Sequence, residues 1–356
     1  MEVPGRAATR LSTAGGDAEL AELALQLVRI DSANPATAPG GPGEAEIASF
    51  AAGWLRDRGL EVSCADVAPG RPSVVGVVRG SGAGPSLMLV GHLDTFARPA
   101  DAGSGPILDG SILRGPGAFD MKGGVAVLMT AAADIARIRL RGDVLVVLVP
   151  DEEHRSLGIR SVLRDWRADA AVVGESTNLA VGVAHRGRVQ LLVEVGDRAD
   201  LVRLALRLAF ANREAECSRY VMAEEREHAA WVRRMLEPGD TPADALRDLR
   251  DTIGGDVRVR WTDVREPFLA DPGHPFARCL VASLERRVGH GETTTLEGWT
   301  EAGVLGAAGL PAVVFGPAGG DAHTDGEWLD LAGAETCRHV LRDAALGYCG
   351  LAADEP

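Results

Sequence analysis

Several short stretches of this chain are almost wholly apolar and rich in β-favouring residues: 73–78, 86–90, Val144–Val149, Ala170–Val173 and 312–315. They do not alternate apolar with polar residues, as a strand with one wet face would. Each therefore reads as a strand buried on both faces, which requires helices packed above and below the sheet. A helical pattern rich in Ala, Val and Leu at 123–136 lies between the second and third runs. Strand, helix, strand in that order is a crossover unit, so the spacing predicts an α/β fold on a mostly parallel, mixed sheet.

Helical spacing also appears at 17–30 (Leu20, Leu23, Leu25, Leu27, Val28), at 44–59 with Gly59 as a C-terminal stop, and at 331–347. Proline and glycine make 31–43 a loop. Residues 197–250 differ in composition, being rich in Arg, Glu and Asp with helical character expected at 201–211 and 223–236. The expected organisation is a tail over 1–16 without structure, a discontinuous main domain over 17–180 and 267–356, and a smaller inserted α+β domain over 181–266.

With 356 residues and 46% hydrophobic content, the chain can bury a large core. Its net charge of −14, without strong Lys/Arg clusters, argues against nucleic acid as a partner. No run is long enough for a membrane span. The cysteines Cys64, Cys217, Cys279, Cys337 and Cys349 are scattered, odd in number and never spaced CxxC, which argues against a disulfide framework or a thiolate zinc site and fits a reducing cytoplasm.

The chemistry-bearing residues fall just after the apolar runs, where sites of α/β sheets lie. Residues 86–90 lead into Gly91-His92-Leu93-Asp94-Thr95, with His92 and Asp94 on one face of an extended chain. A glycine-rich turn carries Asp120 into Met121-Lys122-Gly123-Gly124, where the carboxylate is placed either as a ligand or as a helix cap. Val144–Val149 ends in Pro150-Asp151-Glu152-Glu153, and adjacent carboxylates there need a cation or solvent. Ala170–Val173 ends in Gly174-Glu175, and Gly319-Gly320-Asp321-Ala322-His323 follows the last run. Imidazoles and carboxylates without thiolates suit Zn²⁺, and also Mn²⁺ or Co²⁺. A carboxylate can bridge two such ions, an arrangement suited to hydrolysis. No GxSxG elbow, HExxH helix or GxxxxGK[ST] loop is present.

In this order the turns GHLDT, FDMKGG, PDEE, GEST and AHTDGEW, with Val28-Arg29-Ile30-Asp31-Ser32 and His185-Arg186-Gly187, resemble the M20 family of metallopeptidases and deacylases. The resemblance implies a zinc-peptidase-like catalytic domain with an inserted lid, binding two zinc ions. It implies that Asp120 bridges the ions, that His92 and Glu175 complete one shell, and that Glu153 and His323 complete the other. Asp94 would orient His92, and Glu152 would be the general base. Arg233 and Arg234, in a stretch similar to the family's RRTLPGET, become candidates for holding a substrate carboxylate. His185 would line the boundary between the domains.

The lid departs from the family pattern. It is expected to be shortened, and it lacks the histidine that usually follows its first strand; His228 is read as part of a charged helix face. A hydrolase acting on an N-acyl amino acid is expected. A dipeptidase or carboxypeptidase, or a non-catalytic binding relative, are the alternatives. Relatives often dimerise through the lid, so a homodimer is a further expectation.

Overall fold

A computed structural model describes residues 17–96, 105–215, 219–226, 228–254, 257–324 and 326–352. The tail expected at 1–16 lies outside the described residues. The largest sheet runs Glu61–Ala68, Arg71–Val78, Val144–Val149, Leu87–His92, Ala170–Val173, Ala312–Val314, Val181–His185, Phe268–Leu269, with Thr293–Leu296 also paired to Val181–His185. Its middle four strands are parallel. The strand Arg71–Val78 on one side and Val181–His185 on the other join antiparallel, so the sheet is mixed, as expected.

All six residues of Leu87–His92 and of Val144–Val149 are buried, which explains their lack of alternation. Helices cover the sheet, among them Ala45–Arg56, Gly123–Ile135 and Leu331–Cys349. Gly123–Ile135 is buried along nearly its whole length and is apolar all round, as a helix enclosed by protein must be. The glycine pair that opens it has a steric cause. A Cβ at Gly124 would stand 2.0 Å from the carbonyl oxygen of Gly174, and one at Gly123 would stand 2.5 Å from that of Ala118. The Gly124 contact sets the helix start directly against the strand end that carries Glu175, and the Gly123 contact sets it against the preceding turn. Overpacking of this kind costs about 1–3 kcal/mol. Gly124→Ala is accordingly expected to lower the melting temperature by several degrees in a thermal melt; an unchanged midpoint would contradict the close approach.

A smaller sheet, ordered Tyr220–Arg226, Ala229–Leu236, Gly187–Glu194, Arg258–Arg265, carries the helices Arg198–Glu214 and Pro242–Ile253. It has its own core, including Val189, Leu191, Val232, Leu204 and Leu249. The chain order is strand, helix, strand, strand, helix, strand, an α+β unit inserted between two strands of the large sheet. Val181–His185, read from the sequence as the first stretch of the insertion, pairs in the large sheet; the smaller sheet starts at Gly187.

Residues 223–236 correct the helical reading. They belong to the hairpin Tyr220–Arg226 and Ala229–Leu236, with Ala230, Val232, Arg234 and Leu236 buried at every second position. His228 therefore lies in a hairpin turn and is exposed.

A third sheet, Gly319–Gly320, Trp328–Asp330, Ile112–Arg114, Ile107–Asp109, is small but decisive for the site. Ile112–Arg114 leads into the turn that carries Asp120, and Trp328–Asp330 closes the loop that carries His323. Their pairing brings together two segments far apart in sequence. Glu327 fastens the join: its carboxylate accepts from the backbone N–H of Gly117 and, at 3.0 Å, from that of His323.

Candidate active site

The parallel strands end at one edge of the large sheet, with His92 opposite Val149 and Val90 opposite Val173. The turns that follow these strands meet there with the two segments joined by the third sheet. His92 Nε2 lies 2.9 Å from Asp120 Oδ1 and 3.2 Å from Glu175 Oε1. His323 Nε2 lies 3.2 Å from Asp120 Oδ2 and 3.3 Å from Glu153 Oε1. Asp120 thus stands between two imidazoles, one carboxylate oxygen toward each, and each imidazole has a second carboxylate of its own. Donor atoms of His92, Asp120 and Glu153 fall within 4.8 Å of one another, a spacing at which one cation can be shared.

The charges follow from this packing. Burial favours a neutral His92 ring, yet Glu175 and Asp120 hold its pKa well above the usual histidine value. Hydrogen bonds to Asp120 and Glu153 push His323 up to about 10. Burial, aided by the Asp120 charge, raises Glu175 to about 7. Burial also drives Glu152 well above the carboxylate range, with Glu301 and Glu153 adding to it. Protons therefore sit where the donor set would take a cation, and binding must expel them. Affinity for a divalent metal ion is expected to rise with pH from about 7 to about 10 as Glu175 and His323 lose protons. Calorimetry in buffers of different ionisation enthalpy should show net proton release at pH 7; affinity independent of pH would contradict this.

Glu152 is only 7% exposed and lies beside Glu175 and Glu301, with their carboxylate oxygens within 4.8 Å of one another. Adjacent positions in the turn thus face different ways, Glu153 toward His323 and Glu152 toward a second acidic group. Asp94 acts differently from the simple expectation. His92 Nδ1 donates to the backbone carbonyl of Asp94 at 2.9 Å, while the nearest Asp94 carboxylate oxygen is 3.7 Å away. That carboxylate instead accepts from the backbone N–H groups of Glu152 and Glu153, both at 3.1 Å, and from Asn34 at 2.8 Å. Asp94 thereby sets the histidine through its main chain and the glutamate turn through its side chain.

Several residues to which the sequence reading assigned no role join the site. Glu301 is fully buried, both its oxygens lack a hydrogen-bond partner, and burial raises it to about 8. Phe96 stacks on His323 at 4.4 Å between ring centroids. Asn34 bridges Asp94 and Asp151. A carboxylate beside Trp299 and an asparagine in a proline-rich loop were visible as residues, but nothing in their spacing pointed to the cluster. His185 is buried at the boundary between the sheets, bonded to the Arg186 carbonyl and the Thr300 N–H, and burial lowers its pKa.

A cleft of about 550 Å³ opens onto the cluster, walled by Phe119, Asn178, Leu296, Trp299 and Thr300. The arginine candidates are not brought to it. Arg234 points into the smaller domain, is 5% exposed, and pairs with Asp240 and Asp248; this corrects its reading as a substrate ligand. Arg233 lies on the opposite face of that strand, against Gln190 at 2.8 Å, and does not wall the cleft.

Comparison with known proteins finds relatives along most of the chain. Along 93% of its length the chain is similar to the N-formyl-4-amino-5-aminomethyl-2-methylpyrimidine deformylase of Bacillus subtilis, at 25% identity and over 95% of that protein. It is 32% identical to acetylornithine deacetylase of Salmonella over 42% of the chain, a match that spans only 41% of that relative. A Bacillus subtilis structure described as a dinuclear metal binding peptidase of family M20 shares the fold, with a TM-score of 0.68 at 15% identity, covering 93% of this chain and 98% of that one. The family model of peptidase family M20/M25/M40 matches residues 88–347, which contain the whole acidic cluster, and the chain belongs to that family.

Proposed function

We propose that the chain is a metal-dependent amide hydrolase that removes the acyl group from an N-acylated amino acid or related amine. The observation that carries this reading is Asp120, placed between two imidazole–carboxylate groups, with a separate buried glutamate beside them. His92, Asp120 and Glu175 would hold one zinc ion, and Asp120, Glu153 and His323 the other. Zinc bound there would supply Lewis acidity and make water a nucleophile near neutral pH. Glu152 takes the proton of the attacking water as oxygen adds to the acyl carbon. It then delivers that proton to the nitrogen as the C–N bond breaks, so an acid and an amine leave. Burial raises its carboxyl above the usual carboxylate range, which favours holding the proton taken from water until the nitrogen leaves. Asp94 keeps the Glu152–Glu153 turn in register by holding both N–H groups.

The names of the two curated relatives, a deformylase and a deacetylase, favour acyl removal over peptide cleavage. A panel of N-formyl and N-acetyl amines, N-acyl amino acids and dipeptides, assayed on zinc-loaded protein, is expected to show the highest kcat/KM on an N-acyl compound. Turnover confined to dipeptides would replace this reading by a dipeptidase, and no turnover by a binding protein.

A homodimer through the smaller domain is also proposed. Val202, Leu206 and Phe210 form an exposed apolar stripe on Arg198–Glu214 at intervals of four residues, 55%, 65% and 62% exposed. A monomer mass by light scattering would reject it.

A further inference from the structure

The chain passes between the two sheets twice, at 186–187 and at 265–267, and the passages lie side by side. Arg188 pairs with Arg265 in the smaller sheet and His185 with Phe268 in the large one. They are so close that a Cβ at Gly187 would stand 2.3 Å from the Arg265 carbonyl oxygen. At this neck Arg265, the last residue of the strand Arg258–Arg265, turns a buried guanidinium away from its own sheet. Nη1 donates to the Glu152 carbonyl at 3.2 Å and to Ser156 Oγ at 2.8 Å. Nη2 donates to the same Glu152 carbonyl at 3.1 Å and to that of His154 at 2.5 Å. The Trp299 ring lies under the guanidinium at 4.2 Å.

The turn so held needs holding. Asp151 and Ser156 have φ of 71° and 53°, left-handed values that cost non-glycine residues energy and persist only where neighbours impose them. Asp94 grips the Glu152 peptide by its N–H, from the large domain. Arg265 grips the same residue by its carbonyl, from the smaller domain. Removing either grip frees one side of the turn.

We propose that Arg265 is a positioning residue that ties the smaller domain to the Glu152 turn, so that the setting of that domain fixes where the Glu152 carboxylate stands. This rests on the reading of Glu152 as the proton-transferring base. Lysine keeps the charge but lacks the planar fork that reaches several carbonyls at once. Misplacing a reacting group by about 1 Å can cost about 100-fold.

Arg265→Lys is therefore expected to lower kcat by about 10- to 100-fold while KM and zinc content change little. Guanidinium ion added to Arg265→Ala is expected to restore part of the lost kcat, and to restore nothing to Glu152→Gln. Hydrogen exchange of the 151–156 amides is expected to quicken in both Arg265 variants. Arg160→Met cuts a separate neck contact, the pair to Glu266 at 2.8 and 2.7 Å, and is expected to leave kcat and exchange as they were. Should the Arg265 variants not fold, Ser156→Ala removes one acceptor of the same fork and is expected to give a smaller fall in kcat with faster exchange. Wild-type kcat and exchange in Arg265→Lys, or equal losses in Arg160→Met, would overturn the proposal. Wild-type protein that hydrolyses nothing, while Arg265→Lys still exchanges faster, would remove the Glu152 reading and leave the tie itself standing.

Discussion

Glu152→Gln is expected to fold, to retain its metal, and to lose turnover by about 100- to 10,000-fold, the usual worth of a positioned proton-transfer group. Its neighbour should behave in the opposite way, with Glu153→Ala losing metal first and activity as a consequence. The contrast follows from where the two carboxylates point. Glu153 meets His323, whose ring also touches Asp120, which is why it is proposed as one of the cation-holding residues. Glu152 lies beside Glu175 and Glu301; His92 acts on it through its charge, and no hydrogen bond or ion pair to an imidazole is among its described contacts. Glutamine preserves the shape of Glu152 but can neither take nor return a proton. Metal analysis beside kinetics separates the cases: equal depletion of both variants would show that Glu152 is itself a ligand.

Asp120→Asn is expected to remove both ions together. The substitution is nearly isosteric, so the packing of the turn should survive, but one charge is withdrawn from both halves of the centre at once. Replacing a residue that only orients a ligand already costs about 10- to 100-fold in metal affinity. Loss of the shared carboxylate should exceed that for each ion. His323→Ala, by contrast, removes a donor from one side only and should leave the His92 and Glu175 side able to bind. The two variants titrated with zinc should therefore differ in stoichiometry. An Asp120→Asn protein that retains one tight ion would show that the carboxylate does not bridge.

Much of this centre was legible in the sequence because the fold class and the site share one cause. Runs such as Val144–Val149 lack alternation because both faces are buried, and burial forces the polar residues to the strand ends, where the parallel order gathers them. His92, Glu153 and Glu175 could be picked out on that ground. Other features left weaker traces. The third sheet, which brings the Asp120 turn to the His323 loop, has strands of two or three residues, too short to show a period. The hairpin at 220–236 was hidden by charged residues around its turn that resemble a helix face. Arg234 was named from a motif, and a motif gives residue types without saying which side of a strand they take. The strand's alternation sends Arg234 to Asp240 and Asp248. Arg265 carries no local pattern, and Glu301 stands in a family-like stretch, 299–303, whose spacing does not mark it as part of the cluster. Their significance comes from partners more than a hundred residues away.

Five side chains from separate segments are proposed to make one two-ion centre. Anomalous diffraction from crystals of the zinc-loaded protein locates the ions. The expected result is two peaks about 3.5–4 Å apart, one beside His92 and Glu175, the other beside His323 and Glu153, with Asp120 between them. A single peak, or zinc bound away from Asp120, would contradict it.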